Sequence, residues 1–488
     1  MDLTLHSRAL TGDPDPEATF AELFGGCRDS FWLDSSRVGE GARFSFMGAP
    51  GPHGALVRYD VGAGELLIER AAGSERRRES VFDYLDAELA RLRTPASDLP
   101  FEFDCGFAGY LGYELKAETG GSEAHRAETP DAALVFADRL LVIDHEDGRT
   151  HLLCLAPPGA EAEAEAWLAR TAARLRRLPA AAGEPVPAEP GGEPVAFSLA
   201  RPRERYLADL AVCEERLREG ESYEICLTNR VEAARAADPL ALYRTLRRVN
   251  PAPFSAYLRL GGTAVLSSSP ERFLRVGSDG VAEAKPIKGT AARAAEPAAD
   301  AAAAAALRAD EKNRAENLMI TDLLRNDLGR VCEVGSVEVP RLMEVESFAT
   351  VHQLVSTVRG RLRSGLGATA AVRACFPPGS MTGAPKERTM AILDALEGEA
   401  RGVYSGAIGY FGLGGGCDLS VAIRTIVLGE GRASIGTGGA VVVGSDAEGE
   451  YEEALLKAWA PMRALDPTLP IDCDAAVFAA GSRSVRLF

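Results

Sequence analysis

The chain has 488 residues, 46% of them hydrophobic, and a formal net charge of −17. That is enough apolar mass for roughly two to four domains, on a surface that repels nucleic acid and anionic membranes. No apolar run approaches the ~20 residues of a membrane helix, and no apolar stretch follows a basic one at the start, so no signal peptide is expected. Nine scattered cysteines without a C-x-x-C pair point to a reducing, cytoplasmic setting and away from disulfides or zinc.

Up to about residue 175 the pattern mixes strands and helices. Phe44–Gly48, Ala133–Ala137 and Leu140–Asp144 predict strands, and Glu161–Arg176 predicts an alanine-rich amphipathic helix. Leu178–Pro194 is dense in proline and glycine and reads as a linker. The chain therefore divides into an N-terminal region (1–177), a linker (178–196), a second region (197–463) and a tail (464–488) that matches no pattern.

The second region opens with a helix over Arg203–Glu219, stopped by Gly220. Strands are predicted at Tyr223–Leu227 and Ala264–Ser267. Ala298–Leu307, nearly pure alanine, reads as a solvent-facing helix or a mobile loop. Asp310–Asp322 predicts a helix with Glu311, Ala315, Leu318 and Asp322 at helical spacing. Gly406–Gly416, Cys417–Leu428 and Ala433–Val443 alternate glycine clusters with β-branched runs, as packed strands with close backbone approaches do. No internal repeat is present.

Three constellations carry possible chemistry. Glu316 lies on one acidic helix, and Glu450 and Glu453 share a face of another, with Lys457 one turn on. These are either exposed acidic helices or a carboxylate cage for a hard cation such as Mg²⁺. Gly436-Thr-Gly-Gly439 offers unobstructed backbone amides and Arg424 a two-pronged donor, a pairing suited to a carboxylate. Gly379 to Lys386 places a glycine turn before a helix, with Pro385 at its start. Among possible proton movers, Glu271 follows a strand, and His352 sits in an apolar strand where the plainer reading is a satisfied core residue. Lys285-Pro-Ile-Lys-Gly-Thr290 brings Lys288, Gly289 and Thr290 together.

Six motifs, in order, resemble the chorismate-binding domain shared by anthranilate synthase component I, aminodeoxychorismate synthase component I, isochorismate synthase and salicylate synthase. They are Ser268–Phe273, Pro286–Thr290, Ala315–Asp327, Val351–Ser356, Phe376–Lys386, and Tyr404–Tyr410 followed by Ile423–Thr425. Leu33–Ser36, Arg43–Phe46 and Gly106–Glu114 match more loosely. The resemblance implies an α+β fold like that of anthranilate synthase component I, a two-sheet β-sandwich wrapped by helices. It implies that Glu316 and Glu453, with Glu450 close by, hold Mg²⁺ against the ring carboxylate of chorismate. Arg424, Tyr404, Gly438 and Gly439 would take the enolpyruvyl carboxylate. Glu271 would protonate the departing ring-4 hydroxyl. His352, Thr290 and Thr382 would line the pocket, with Gly289 and Lys457 also at the substrate.

Lys288 resembles the lysine of the aminodeoxychorismate branch, where sister enzymes carry a small residue. There it implies attack of the lysine amine on ring carbon 2, then ammonia addition at carbon 4, on the route to 4-aminobenzoate and folate. An unprotonated amine is needed, and Lys285 and Mg²⁺ nearby are expected to depress the Lys288 pKa. Glu224 stands where the water-adding relatives place a lysine, which disfavours water addition. Asn313 replaces a frequent carboxylate and Ala440 a glycine. No segment resembles a glutamine amidotransferase, so ammonia is expected from a separate glutaminase subunit. Anthranilate synthase component I and a non-catalytic subunit that binds chorismate or tryptophan are the alternatives. Some relatives bind tryptophan near a segment like Leu33–Ser36.

Overall fold

The computed structural model describes residues 3–39, 42–94, 98–179, 194–234, 237–348 and 351–470. Most of the predicted linker and the tail from residue 471 on lie outside them.

Two twelve-stranded sheets, antiparallel in every pairing, form the body of the protein. Each is assembled from both sides of the linker. In the first sheet Thr4–Thr11, Arg149–Ala156, Arg139–Asp144, Phe44–Gly48 and Ser30–Asp34 lie side by side. Ser30–Asp34 then pairs with Phe254–Leu260, which leads on to Thr263–Ser269, Thr425–Gly429, Arg432–Val441 and Glu224–Ala233. In the second sheet the seam is Ala407–Gly412 against Gly106–Leu111, with Gly409 opposite Gly109. A Cβ at Gly409 would sit 2.0 Å from the Asp418 carbonyl oxygen, so the close approach foreseen for the glycine-rich strands is real.

The sheets pack face to face. One core cluster takes Phe46, Val142 and Leu258 from the first and Val57, Phe107, Leu134 and Ile408 from the second. Ala132–Ala137 is buried at every position, which is why it reads as an unbroken apolar run rather than an alternating one. Helices close the outer faces. Glu161–Leu175 turns Ala164, Leu168, Ala172 and Leu175 inward and joins Ala447–Leu465 over the first sheet. Val81–Arg91, Glu311–Gly329 and Ala368–Cys375 contribute to the shared core. The architecture is the expected α+β sandwich. No described helix is long and apolar enough to cross a membrane.

The alanine-rich segment is a helix, Pro297–Ala309, capped by Glu296, with Leu307 its one buried residue. The following helix, Glu311–Gly329, is capped by Asp310, whose side chain accepts from the Asn313 amide. Its residues Glu311, Ala315, Leu318 and Asp322 face solvent. The inward face carries Glu316, Asn317, Ile320 and Leu324, and this aims Glu316 at the site.

Candidate active site

Lys288 lies in the edge strand Ile287–Ala292, whose register with Val351–Arg361 shifts between Ile287 and Thr290. Gly289 occupies this irregularity at φ +89°, with its backbone against the Asn313 side chain. Such a bulge re-aims side chains. Lys288 Nζ donates to Glu224 Oε1 at 2.8 Å and stands 3.8 Å from Glu316 Oε2. Burial opposes the lysine charge, but Glu224 and then Glu316 outweigh it and raise its pKa above the ordinary value. The depression expected from Lys285 is therefore corrected: Lys285 is paired with Glu346 at 2.9 Å, and carboxylates surround Lys288.

Glu271 follows the strand Thr263–Ser269 and accepts a hydrogen bond from Ser380 Oγ at 2.9 Å. Burial raises its pKa against the lowering influence of Ser380, Lys288 and Lys457. A carboxyl group whose pKa is raised by burial is shifted in the direction a general acid requires.

Arg424 is held in the left-handed region at φ +52°, a backbone cost of roughly 1 kcal/mol for a non-glycine residue. Among the described residues no hydrogen bond or ion pair reaches its guanidinium. Burial pulls its pKa down, opposed by the charges of Tyr404 and Glu453. The Tyr404 ring lies on Gly436, where a Cβ would come within 2.0 Å of it. Gly438 and Gly439 pair with Thr228 and Leu227, and a Cβ at Gly439 would meet Glu450 Oε2 at 2.9 Å. Lys457 joins this edge to the helix, donating to the Gly438 carbonyl at 3.1 Å and pairing with Glu453 at 2.8 Å.

The acidic residues face one another across Lys312, whose Nζ is 3.9 Å from Glu316 and 3.5 Å from Glu450. Ser445 Oγ donates to Glu450 at 2.8 Å. Among the described residues no three His, Cys, Asp or Glu side chains stand close enough together to hold a metal. The donor set nevertheless fits a hard cation, because an ammonium already bridges Glu316 and Glu450. That ammonium is on a side chain 54% exposed, which is free to swing away. Burial also raises the Glu316 pKa, against the lowering influence of Lys288 and Lys312.

His352 and Thr382 do not line the pocket that the resemblance implied, and His352 follows its plainer reading as a satisfied core residue. His352 is 3% exposed, with Nδ1 2.8 Å from Ser347 Oγ and Nε2 3.0 Å from Asp300 Oδ1. Both ring nitrogens are taken, so it fastens the alanine-rich helix instead of lining a pocket. Thr382 is fully buried and donates to the carbonyls of Pro378 and Gly379 at 3.3 Å, bracing its own turn. Thr290 does line a cavity, one of about 960 Å³ shared with Glu271 and Arg424 and reaching Phe44, Phe46 and Phe101 in the N-terminal region. Leu33, Asp34 and Ser35 border a separate cavity of about 70 Å³, and Asp34 is already engaged by Tyr243 and Arg247. Sequence reading missed Lys312, although it stands four residues before Glu316 on one helix. It also missed Ser380, which lies inside the quoted Phe376–Lys386 motif.

Residues 54–463 match the profile of the chorismate binding enzyme family. The chain is 53% identical over 470 residues to an aminodeoxychorismate synthase of Streptomyces pristinaespiralis, covering 94% of this chain and 65% of that protein. It is 37% identical over 475 residues to an anthranilate synthase component 1 of Streptomyces coelicolor, covering 94% and 88%. The crystal structure of anthranilate synthase component I from Streptococcus pneumoniae superposes with a TM-score of 0.75 at 31% identity, covering 86% of this chain and 92% of that one. The chain thus spans about 65% of the length of the aminodeoxychorismate synthase it resembles.

Proposed function

The chain belongs to the chorismate-binding enzyme family, and from that premise we propose that it is an aminodeoxychorismate synthase, exchanging the ring-4 hydroxyl of chorismate for an amine. The observation that carries the reading is Lys288, turned inward by a bulge and held at 2.8 Å by Glu224, near a Glu271 whose pKa burial raises. The greater identity to an aminodeoxychorismate synthase than to an anthranilate synthase component 1 supports the same branch.

In this reading Arg424 takes the enolpyruvyl carboxylate, because its desolvated guanidinium has no partner among the described residues and its fork matches a carboxylate. Tyr404 and the backbone at Gly438 and Gly439 complete that subsite. Glu271 gives its proton to the ring-4 hydroxyl, which leaves as water. Lys288 Nζ passes its proton to Glu224, its partner at 2.8 Å, bonds to ring carbon 2, and takes that proton back when it leaves. Ammonia then bonds to carbon 4, the Lys288–carbon bond breaks, and the lysine leaves as an amine. The added nitrogen sheds its extra proton, so the net change is ammonia in and water out. Glu316, Glu450 and Glu453 would hold Mg²⁺, whose charge would bind the ring carboxylate and offset the carboxylates around it. Ammonia comes from a glutamine amidotransferase partner. The words "component 1" in the name of the anthranilate relative fit such a division of labour. The unpaired cysteines of the described residues fit a reducing cytoplasm. Tryptophan binding beside Leu33–Ser36 is a subsidiary proposal, to be checked by calorimetry with tryptophan.

The test is incubation with chorismate, Mg²⁺ and ammonium, coupled to the pyruvate-eliminating lyase. Appearance of 4-aminobenzoate that disappears in Lys288→Ala supports the reading. Anthranilate formed without the lyase overturns it. Glutamine in place of ammonium should give no product until a glutaminase is added.

A further inference from the structure

We infer that Arg401 is a positioning residue that holds the turns carrying Thr382 and Tyr404 in register with the strand carrying Glu224. The Arg401–Glu397 ion pair is buried, with 3% and 4% of the side chains exposed, beneath the site and touching none of the groups assigned to substrate. Arg401 Nε and Nη2 each donate to Glu397 at 2.8 Å. The remaining donors go to three separate segments. Nη1 reaches the Met381 carbonyl at 2.6 Å and Ser405 Oγ at 3.2 Å, and Nη2 reaches the Cys226 carbonyl at 2.9 Å. Met381 directly precedes Thr382, Ser405 directly follows Tyr404, and Cys226 lies two residues from Glu224.

Glu397 extends the brace by accepting from the Thr228 amide and hydroxyl, both at 2.9 Å. Thr228 is the strand partner of Gly438. On the other side Glu114 accepts the Arg401 and Gly402 amides, both at 2.9 Å. Ser405 sits at φ +67°, a conformation that must be held from outside. A fork with five fixed donors can serve all these acceptors together, and a lysine ammonium cannot.

The inference rests on the proposed function only for the identity of the substrate. The experiment measures chorismate affinity by calorimetry, and KM for chorismate and for ammonium, in wild type, Arg401→Lys and Ser405→Ala. Arg401→Lys keeps a cation for Glu397 but releases the turns. The expected loss of chorismate affinity is on the order of tenfold, with KM for ammonium unchanged. Ser405→Ala removes one contact and leaves the ion pair, and is expected to lose about threefold. Unchanged chorismate affinity in both variants overturns the inference. So does a loss of kcat alone that merely tracks the unfolded fraction. If the wild type neither binds nor aminates chorismate, the proposed function fails, while amide exchange still decides the brace. Faster exchange at Thr382 and Ser405, both hydrogen-bonded amides, with the sheets unchanged supports it. Uniform or no acceleration refutes it.

Discussion

The two ends of the candidate site are built on opposite terms. At the Arg424 end a half-buried cation waits without a partner among the described residues, on a backbone held at φ +52°. At the Glu316 end every carboxylate is already matched to a lysine: Lys288 and Lys312 to Glu316, Lys312 to Glu450, Lys457 to Glu453. The first end is preorganised for an incoming anion. The second must exchange internal ammonium groups for an incoming cation. Binding at the first end therefore relieves a cost already present in the free protein, whereas binding at the second competes with contacts already made.

The largest break in this contrast is Lys288→Ala, which removes the proposed nucleophile and leaves Glu224 buried without its cation. We expect kcat for amination to fall by about 10³-fold or more, measured as ammonia-dependent product formation. Undiminished turnover would remove the covalent step from the mechanism.

Arg424→Met tests the preorganised end. KM for chorismate should rise on the order of 100-fold, because the substrate carboxylate loses a desolvated two-pronged donor. The unliganded protein should become more stable by up to about 1 kcal/mol, since a half-buried charge without a partner among the described residues disappears. Thermal unfolding without substrate checks the second point. A lower melting temperature would mean that the guanidinium has a stabilising partner in the free protein.

Glu114, beneath the same end, gives a pH signature. Burial raises its pKa to about 7, against the hydrogen bonds it accepts from the Arg401 and Gly402 amides. Its folded value lies above its unfolded one. Its contribution to stability is therefore complete below the unfolded value and is lost as pH rises through about 7. Urea unfolding followed from about pH 4.5 to about 7 should show a decline on the order of 1–3 kcal/mol that Glu114→Gln flattens.

The smallest effect belongs to the exchanging end. Lys312→Met removes the exposed ammonium between Glu316 and Glu450, and Mg²⁺ affinity measured by calorimetry without substrate should rise several-fold. A weaker affinity would mean that Lys312 helps to assemble the carboxylates instead of competing for them.

Much of the site was legible because the residues that carry it sit in short contiguous motifs. Glu271 follows its strand and Glu316 lies on its helix where sequence reading put them, and the glycine-rich strands approach closely, as their composition requires. The partners were not legible, because they come from elsewhere in the fold. Lys288 belongs to the second sheet and Glu224 to the first, and nothing in either segment announces that they meet. His352 read as a satisfied core residue, but its partner Asp300 comes from the alanine-rich helix, which composition left as a helix or a loop. The predicted elements before the linker emerged close to their expected bounds, yet their strands complete sheets begun by segments from beyond it. Local periodicity reports what an element is, and only packing reports what it faces.

The most direct test of the account is mass spectrometry of the product that the wild-type protein makes from chorismate, Mg²⁺ and ammonium chloride. A species in which one hydroxyl has become an amine, with the enolpyruvyl group retained, is the predicted result. Anthranilate with free pyruvate, or a hydroxyl isomer of chorismate, would contradict it.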